Sequence, residues 1–89
     1  MKLSYVLTAV LAAAQVQATT IFCQCRTLNK HGRQVSWPSD TRETCRTHGG
    51  DMYNSAWCEV DMPNGRSWES WWSGSCDSFG HCEHSRPNV

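Results

Sequence analysis

Two carboxylates and several histidines are the residues most able to carry acid–base chemistry in this chain. Glu59 and Asp61 stand two residues apart, so on a strand they share one face and resemble the paired carboxylates of glycoside hydrolysis. Neighbours on one flat strand, however, do not flank a substrate bond. His48 and His81 could act with Arg46 and Glu59 as in a small ribonuclease, but no spacing favours that arrangement. Since no serine nucleophile motif accompanies them, we expect no catalytic residues and no enzyme activity.

Six cysteines are the other reactive residues. An even number in a short chain behind a secretory signal predicts three disulfides. Bridges are needed because the segment from Thr19 onward has only five Ile, Leu or Val residues, too few for a self-sufficient core. Cys23 and Cys25 should not pair with each other, since their side chains point to the same side of an extended strand. The remaining pairings stay open among Cys23, Cys25, Cys45, Cys58, Cys76 and Cys82.

The same residues also permit a metal hypothesis. The candidate ligands are of the types that zinc accepts, namely Cys23, Cys25, Cys82, His48, His81 and His84. Structural zinc requires thiolates and therefore a reducing compartment, whereas the N-terminal signal indicates secretion. Their spacing also differs from that of zinc fingers. The sequence therefore predicts no metal and no cofactor.

The first 18 residues have the features of a secretory signal peptide. Lys2 provides the positive charge, residues 3–14 form an apolar stretch, and Val16-Gln17-Ala18 resembles a cleavage site. The apolar stretch is too short to span a bilayer. We expect a signal peptide over residues 1–18, one disulfide-stabilised domain over residues 19–89, an extracellular location and no membrane anchor.

Charge excludes further classes of partner. The chain has 8 Lys+Arg and 8 Asp+Glu, and removal of Lys2 with the signal leaves a small negative net charge. A near-neutral domain lacks the basic field that binds nucleic-acid phosphates, so we expect no nucleic-acid partner. By composition it also lacks the polybasic face that holds a protein on an anionic membrane.

Alternation and turn residues predict a short antiparallel sheet. Residues 19–26 are rich in β-forming side chains, and residues 34–37 can form a short return strand. Residues 56–62 alternate strictly, with alanine, cysteine, valine and methionine on one side. Pro63-Asn64-Gly65 predicts a tight turn after this last strand.

Two short helices complete the predicted architecture. Residues 39–48 place Asp40 and Glu43 at capping-box spacing and end at a double glycine, and a bridge from Cys45 should pin this helix. Residues 67–73 fit a helix, with a strand as the alternative. The predicted fold class is α+β: a small disulfide-rich domain with a short antiparallel sheet and one or two short helices.

Tryptophan occurs five times, and these side chains can either replace the missing aliphatic core or form a contact surface. Helical spacing places Trp68 and Trp72 on the side of Cys76, so we expect these two inside and Trp71 at the rim. Trp57 alternates away from the cysteine side of the predicted strand and should face solvent beside two carboxylates. The candidate contact residues are therefore Trp57, Trp71, Glu59 and Asp61.

Four features follow one another along the chain. These are the secretory signal, Cys23-Gln24-Cys25 soon after the cleavage site, the segment 41–49 (Thr-Arg-Glu-Thr-Cys-Arg-Thr-His-Gly), and widely spaced single cysteines. The pattern resembles the small secreted cysteine-rich proteins of filamentous fungi, and the resemblance covers most of the mature chain. Many members of that group are candidate effectors or elicitors that act on a host plant or a competing microbe. The resemblance implies such a role here and carries over no catalytic residues.

The sequence therefore predicts a secreted interaction protein, of the fungal effector or elicitor kind, whose partner is an extracellular host or microbial protein. The alternative is a carbohydrate-binding module for chitin or another cell-wall glucan, in which exposed tryptophans stack on sugar rings. An antimicrobial toxin is the weaker alternative, because such peptides tend to be cationic and this domain is not.

Overall fold

The computed structural model describes residues 18–88, which form one antiparallel sheet and two short helices joined by three disulfides. This confirms the predicted α+β, disulfide-rich class. The predicted signal segment lies outside the described residues apart from Ala18. No helix among residues 18–88 is long and apolar enough to cross a membrane. The elements in chain order are β1 (Ala18–Leu28), β2 (Gln34–Ser36), α1 (Pro38–Thr47), β3 (Asp51–Met52), β4 (Cys58–Pro63), α2 (Trp68–Trp71) and β5 (Phe79–Glu83).

β1 is the central strand, and its two edges carry different partners. Phe22 lies opposite Glu59 of β4 on one edge and opposite Glu83 of β5 on the other. Further along β1, Arg26 lies opposite Phe79 of β5 on one edge and opposite Ser36 of β2 on the other. β2 and β4 therefore share one edge of β1. β3 extends the sheet beyond β4. The sheet thus has an inner face, which carries the cysteines of β1, and an outer face on the other side of the same strands.

The core lies on the inner face, under helix α1. Ile21, Val60 and Met62 are buried there together with the cysteines and Trp72. Trp72 is fully buried, and its indole Nε1 donates a hydrogen bond to the backbone oxygen of Gln24 at 3.1 Å. A buried indole therefore supplies apolar area that the few aliphatic residues do not provide.

Three disulfides are present, as predicted, and Cys23 and Cys25 are not bonded to each other. Cys23 has Cys58 of β4 on one side and Cys82 of β5 on the other, so three cysteines stand in one row across the sheet. Helix α1 places Cys45 over β4. Cys58 therefore bonds to Cys45, and Cys23 bonds to Cys82. The resulting bridges are Cys23–Cys82, Cys25–Cys76 and Cys45–Cys58.

Helix α1 begins at Pro38, one residue earlier than predicted, because the proline ring suits the first helical turn. The predicted capping role of Asp40 is wrong: its carboxylate accepts a hydrogen bond from the backbone N–H of Asp77, at 2.8 Å. Thr41 holds the helix on the sheet. Its buried hydroxyl accepts from the backbone N–H of Cys25 at 2.8 Å and donates to the carbonyl oxygen of Trp37 at 2.9 Å.

The double glycine after α1 has two roles. Gly49 has φ 74°, a left-handed conformation that ends the helix. Gly50 then passes over β4, where an added Cβ would lie 2.7 Å from the Sγ of Cys58 and 2.8 Å from the backbone oxygen of Glu59. The second glycine is therefore required by close packing rather than by its backbone angles.

Residues 67–73, for which the sequence allows either a helix or a strand, contain a short helix. α2 is followed by a 3₁₀ turn at residues 73–75, and the bridge to Cys76 ends the segment. The predicted faces hold for Trp72, which is fully buried, and for Trp71, which is half-buried. Trp68 is also half-buried, although it packs against the core as expected.

Candidate functional site

The outer face brings together two of the predicted contact residues and several that the sequence did not indicate. Residues opposite each other in an antiparallel sheet project to the same side, so the register defines this face. Thr20 pairs with Asp61, Phe22 with Glu59 and Glu83, Gln24 with His81, and Asp51 with Glu59. We use the term outer face for Thr20, Phe22, Gln24, Asp51, Glu59, Asp61, His81 and Glu83, with Tyr53, Trp57 and Arg86 lying against them.

The centre of the outer face is aromatic. Phe22 is buried, and its ring meets Tyr53 edge-on with 5.6 Å between the ring centroids. The guanidinium carbon of Arg86 lies 5.0 Å from the centroid of Tyr53 and 5.8 Å from that of Phe22. Arg86 also reaches Glu59, with 4.0 Å between Nη2 and Oε1. The C-terminal segment therefore lies over this centre and places one cation on it.

Trp57 belongs to this face, but the expectation that it is an exposed contact residue is wrong, because it is only 9% exposed. β4 begins at Cys58, and the residues before it form a turn. The side-chain oxygen of Asn54 accepts hydrogen bonds from the backbone N–H groups of Ala56 and Trp57, each at 2.8 Å. Gln24 binds this turn from below, through Nε2 and the carbonyl oxygen of Ala56 at 3.2 Å. The turn folds the indole of Trp57 inward, where it meets His81.

Carboxylates form the rim of the outer face. The side chains of Glu59 and Glu83 are 42% and 50% exposed, and Asp51 and Asp61 are also exposed. Asp51, Glu59 and Asp61 line a shallow notch of about 200 Å³ next to the double glycine. Asp61 accepts a hydrogen bond from the hydroxyl of Thr20 at 2.7 Å. The rim therefore offers hydrogen-bond acceptors and negative charge around an aromatic centre.

Glu83 is held in its charged form by its neighbours. Nε2 of His81 lies 2.5 Å from its carboxylate. This hydrogen bond, followed by the charge of the imidazole, lowers the pKa of Glu83 below its ordinary value, and the charges of Arg26 and His84 act in the same direction. Desolvation acts in the opposite direction, with an effect smaller than that of His81 and larger than those of Arg26 and His84.

Trp71, the remaining predicted contact residue, is not part of the outer face. Its ring packs against His48 with 4.4 Å between the centroids, at the end of helix α1 on the inner side of the sheet. Glu59 and Asp61 project from β4 in the opposite direction, because Val60 between them and Cys58 before them are buried in the core. The four predicted contact residues are therefore not brought together. Glu59 and Asp61 lie on the outer face, Trp57 is buried there, and Trp71 lies on the other side of the sheet.

The sequence does not indicate that Tyr53, His81, Glu83 and Arg86 belong to this face. Its strongest available signal was Phe22 and Gln24, which alternate with two cysteines on β1 and indicate that something must cover the second face of the strand. The covering residues come from a turn, from β5 and from the C-terminal segment. Only the fold brings these three together.

Two further arrangements are of chemical interest. A groove of about 480 Å³ lies between α1 and the chain leading into β3, lined by Ser39, Arg42, Glu43, Cys45, Arg46, Gly49, Gly50, Asp51 and Met52. Asp40 lies close to the sulfurs of Cys25 and Cys76, a grouping of metal-ligand type. Because these two sulfurs are bonded to each other, they are not thiolates, and the grouping does not offer a thiolate metal site.

Comparison with known proteins gives no match: no protein-family model, no curated protein and no solved structure matches this chain.

Proposed function

We propose that this chain is a secreted interaction protein of the effector or elicitor kind, that it acts outside the cell on a host or microbial protein, and that it makes contact through the outer face. We further propose that it is not an enzyme. Its partner would present basic side chains, because the rim of the outer face carries carboxylates at Asp51, Glu59, Asp61 and Glu83.

Three disulfides support the extracellular part of this proposal, since such bridges form and persist in oxidising compartments. They also join β1 to β5, β1 to the segment after α2, and α1 to β4. A surface that is already rigid loses little conformational entropy when it binds, which favours recognition by a small domain.

The arrangement of the outer face is the observation on which the proposal depends. Protein interfaces commonly combine aromatic and arginine side chains at the centre with a polar, solvent-accessible rim. Here Tyr53 and Arg86 lie against the buried ring of Phe22 and form the accessible centre, and Glu59 and Asp61 belong to the rim. The notch between the acidic residues has room for the end of a lysine or arginine side chain.

Quantitative affinity capture tests this proposal. Oxidised protein covering residues 19–89 is immobilised and exposed to plant extracellular fluid and to culture filtrates of competing microbes, and captured proteins are quantified by mass spectrometry. We expect a protein that is captured by the wild type, and captured at least tenfold less by the double variant Glu59→Gln, Asp61→Asn.

The matched control is Glu69→Gln, Asp77→Asn, which removes the same two charges from exposed positions outside the outer face. It should capture as well as the wild type. Equal loss in both double variants would show that only the net charge matters and would refute the outer face as the contact surface. Near-ultraviolet circular dichroism of each variant checks that the fold is kept.

The carbohydrate-binding alternative depends on Trp68 and Trp71, the half-exposed indoles of α2. Sedimentation with insoluble chitin and cellulose separates the two functions. Retention on a polysaccharide that is abolished by Trp68→Ala, with no protein captured by the wild type, would support the carbohydrate-binding module and contradict our proposal.

A further inference from the structure

The hairpin formed by the end of β1 and by β2 concentrates positive charge, although the chain as a whole is neutral. Residues 26–36, which we call the basic hairpin, contain Arg26, Lys30 and Arg33 together with His31, and no acidic residue. Positions 30–35 are all exposed. In contrast, residues 51–88 contain six Asp or Glu and two Arg. The fold therefore separates its charges, and the net charge conceals a local positive field.

The same end of the sheet carries exposed apolar side chains. Among residues 18–88, the large hydrophobic residues that are most exposed are Leu28 at 50%, Val35 at 38% and Phe79 at 37%. Phe79 lies opposite Arg26, two residues before Leu28, so Leu28 and Phe79 are diagonal neighbours on one face of the strand pair. Val35 lies opposite Thr27 and therefore projects to the other face.

The basic hairpin has a fixed conformation. The side-chain oxygen of Asn29 accepts hydrogen bonds from the backbone N–H groups of His31 and Arg33, at 2.9 and 3.0 Å. The backbone N–H of Asn29 donates to the carbonyl oxygen of Arg33 at 2.9 Å, and Gly32 completes the turn with φ 77°. The backbone that carries the cations and the apolar side chains is thus set before any partner is met.

One acidic group limits the field at the base of the basic hairpin. The charge of Arg26 acts on Glu83, and the guanidinium of Arg26 is held by the side-chain oxygen of Gln24 at 2.7 Å. Lys30 and Arg33 lie further along, in the turn, where the sequence places no carboxylate. The two turn cations are therefore the ones available to an anionic partner.

We propose that the basic hairpin docks on anionic lipid bilayers, with Leu28 and Phe79 entering the boundary between headgroups and acyl chains and with Lys30 and Arg33 paired to lipid phosphates or carboxylates. A projecting surface that combines apolar side chains with flanking cations matches the two requirements of interfacial binding, which are apolar burial and attraction to anionic lipid. An acidic protein would need a concavity that accepts this projection, whereas a bilayer adapts to it. The long stems of lysine and arginine allow their charges to stay at headgroup level.

Vesicle flotation tests this proposal with oxidised protein covering residues 19–89. Vesicles of phosphatidylcholine alone are compared with vesicles containing about 30% phosphatidylserine, at physiological salt. We expect flotation with the anionic vesicles and at least tenfold weaker partitioning to neutral ones. Lys30→Gln, Arg33→Gln should lower partitioning by more than tenfold, since each cation near such a surface contributes about a fivefold effect.

Leu28→Ala and Val35→Ala form a matched pair, because both remove exposed aliphatic carbon from the same hairpin. Only Leu28→Ala should weaken partitioning, by roughly tenfold. Equal effects of the two variants, or no flotation of the wild type, would overturn the proposal. Binding to soluble heparin without binding to vesicles would identify a general polyanion site and would overturn it as well.

The outer-face variant Glu59→Gln, Asp61→Asn should float like the wild type. Lipid docking and capture of a protein partner therefore succeed or fail independently.

Discussion

His48 links the end of helix α1 to the backbone of Trp71. Its Nε2 lies 2.9 Å from the carbonyl oxygen of Trp71, and its Nδ1 lies 3.0 Å from the carbonyl oxygen of Thr44. A neutral imidazole donates to only one of these two acceptors, whereas the protonated ring donates to both. The ring also meets the indole of Trp71 edge-on and lies beside that of Trp72. The side chain of His48 thus connects helix α1 to the segment that contains the fully buried Trp72.

Replacement of His48 by alanine should lower the free energy of unfolding by about 1–3 kcal/mol, because a partly buried carbonyl loses its donor. Chemical denaturation of the oxidised protein measures this. His84→Ala is the control, since His84 is exposed and its loss should change stability by less than about 0.5 kcal/mol. Equal stability of the two variants would contradict the role of His48 as a fastener.

The two adjacent tryptophans should differ in their contribution to stability. Trp72→Ala should cost about 3–5 kcal/mol, because a fully buried ring and its hydrogen bond to Gln24 are lost. Trp71→Ala should cost less, because that ring is only half-buried. Thermal melting of both variants decides the matter: a lower melting temperature for Trp71→Ala would show that the two faces of α2 have been assigned the wrong way round.

Peptide mapping should recover the Cys45–Cys58 bridge and should find the peptide that ends at Arg26 joined to residues 67–89 by the other two bridges. Cleavage after Arg42, Arg46 and Arg66 releases residues 43–46 and 47–66, which should remain joined through Cys45 and Cys58. The intact oxidised protein should be six hydrogens lighter than its reduced form and should show no thiol that reacts under denaturing, non-reducing conditions. Any labelled cysteine would contradict the three bridges, and separation of residues 43–46 from residues 47–66 without reductant would contradict the Cys45–Cys58 pairing.

Reduction should also unfold the domain, because its few aliphatic residues do not compensate for the lost restriction of the unfolded chain. We expect the near-ultraviolet dichroism of the tryptophans to disappear when reductant is added. A reduced protein that keeps this signal would show that the core around Trp72 is sufficient by itself.

Glu83 should make stability depend on acidity. Its pKa is lowered in the folded state, chiefly by the hydrogen bond from His81, so it contributes stability above its ordinary value of 4.5. That contribution should be lost as the pH falls through the lowered pKa. Glu83→Gln should therefore be less stable than the wild type at about pH 6 and should approach it at about pH 2. Melting curves that differ by the same amount at both pH values would contradict this account.

Much of the fold is local enough to be predicted from the sequence. Strict alternation predicted β4, the β-rich start of the domain predicted β1, and the proline and double glycine delimited α1 within one residue. β5 was not predicted, since residues 79–83 include a glycine and show no apolar alternation. That strand exists because β1 pairs with it and a disulfide joins the two, and both are long-range effects.

The candidate site was only partly predictable for the same reason. Glu59 and Asp61 were correctly placed on the side of β4 that faces away from the core, because alternation alone decides this. Trp57 lies on the predicted side but is buried, because the turn made by Asn54 before the strand folds its indole inward. Tyr53 and Arg86 reach Phe22 from distant parts of the chain, so no local pattern indicates them.

Carboxyl footprinting tests the contact surface most directly. The oxidised domain is labelled with a carbodiimide and an amine, alone and bound to the protein it captures, and the labelling of each carboxylate is read by mass spectrometry. Glu59 and Asp61 should be labelled in the free domain and protected at least fivefold in the complex, while Glu69 and Asp77 should be unchanged. Protection of Glu69 and Asp77 with Glu59 and Asp61 still labelled would contradict the claim that the outer face binds the partner.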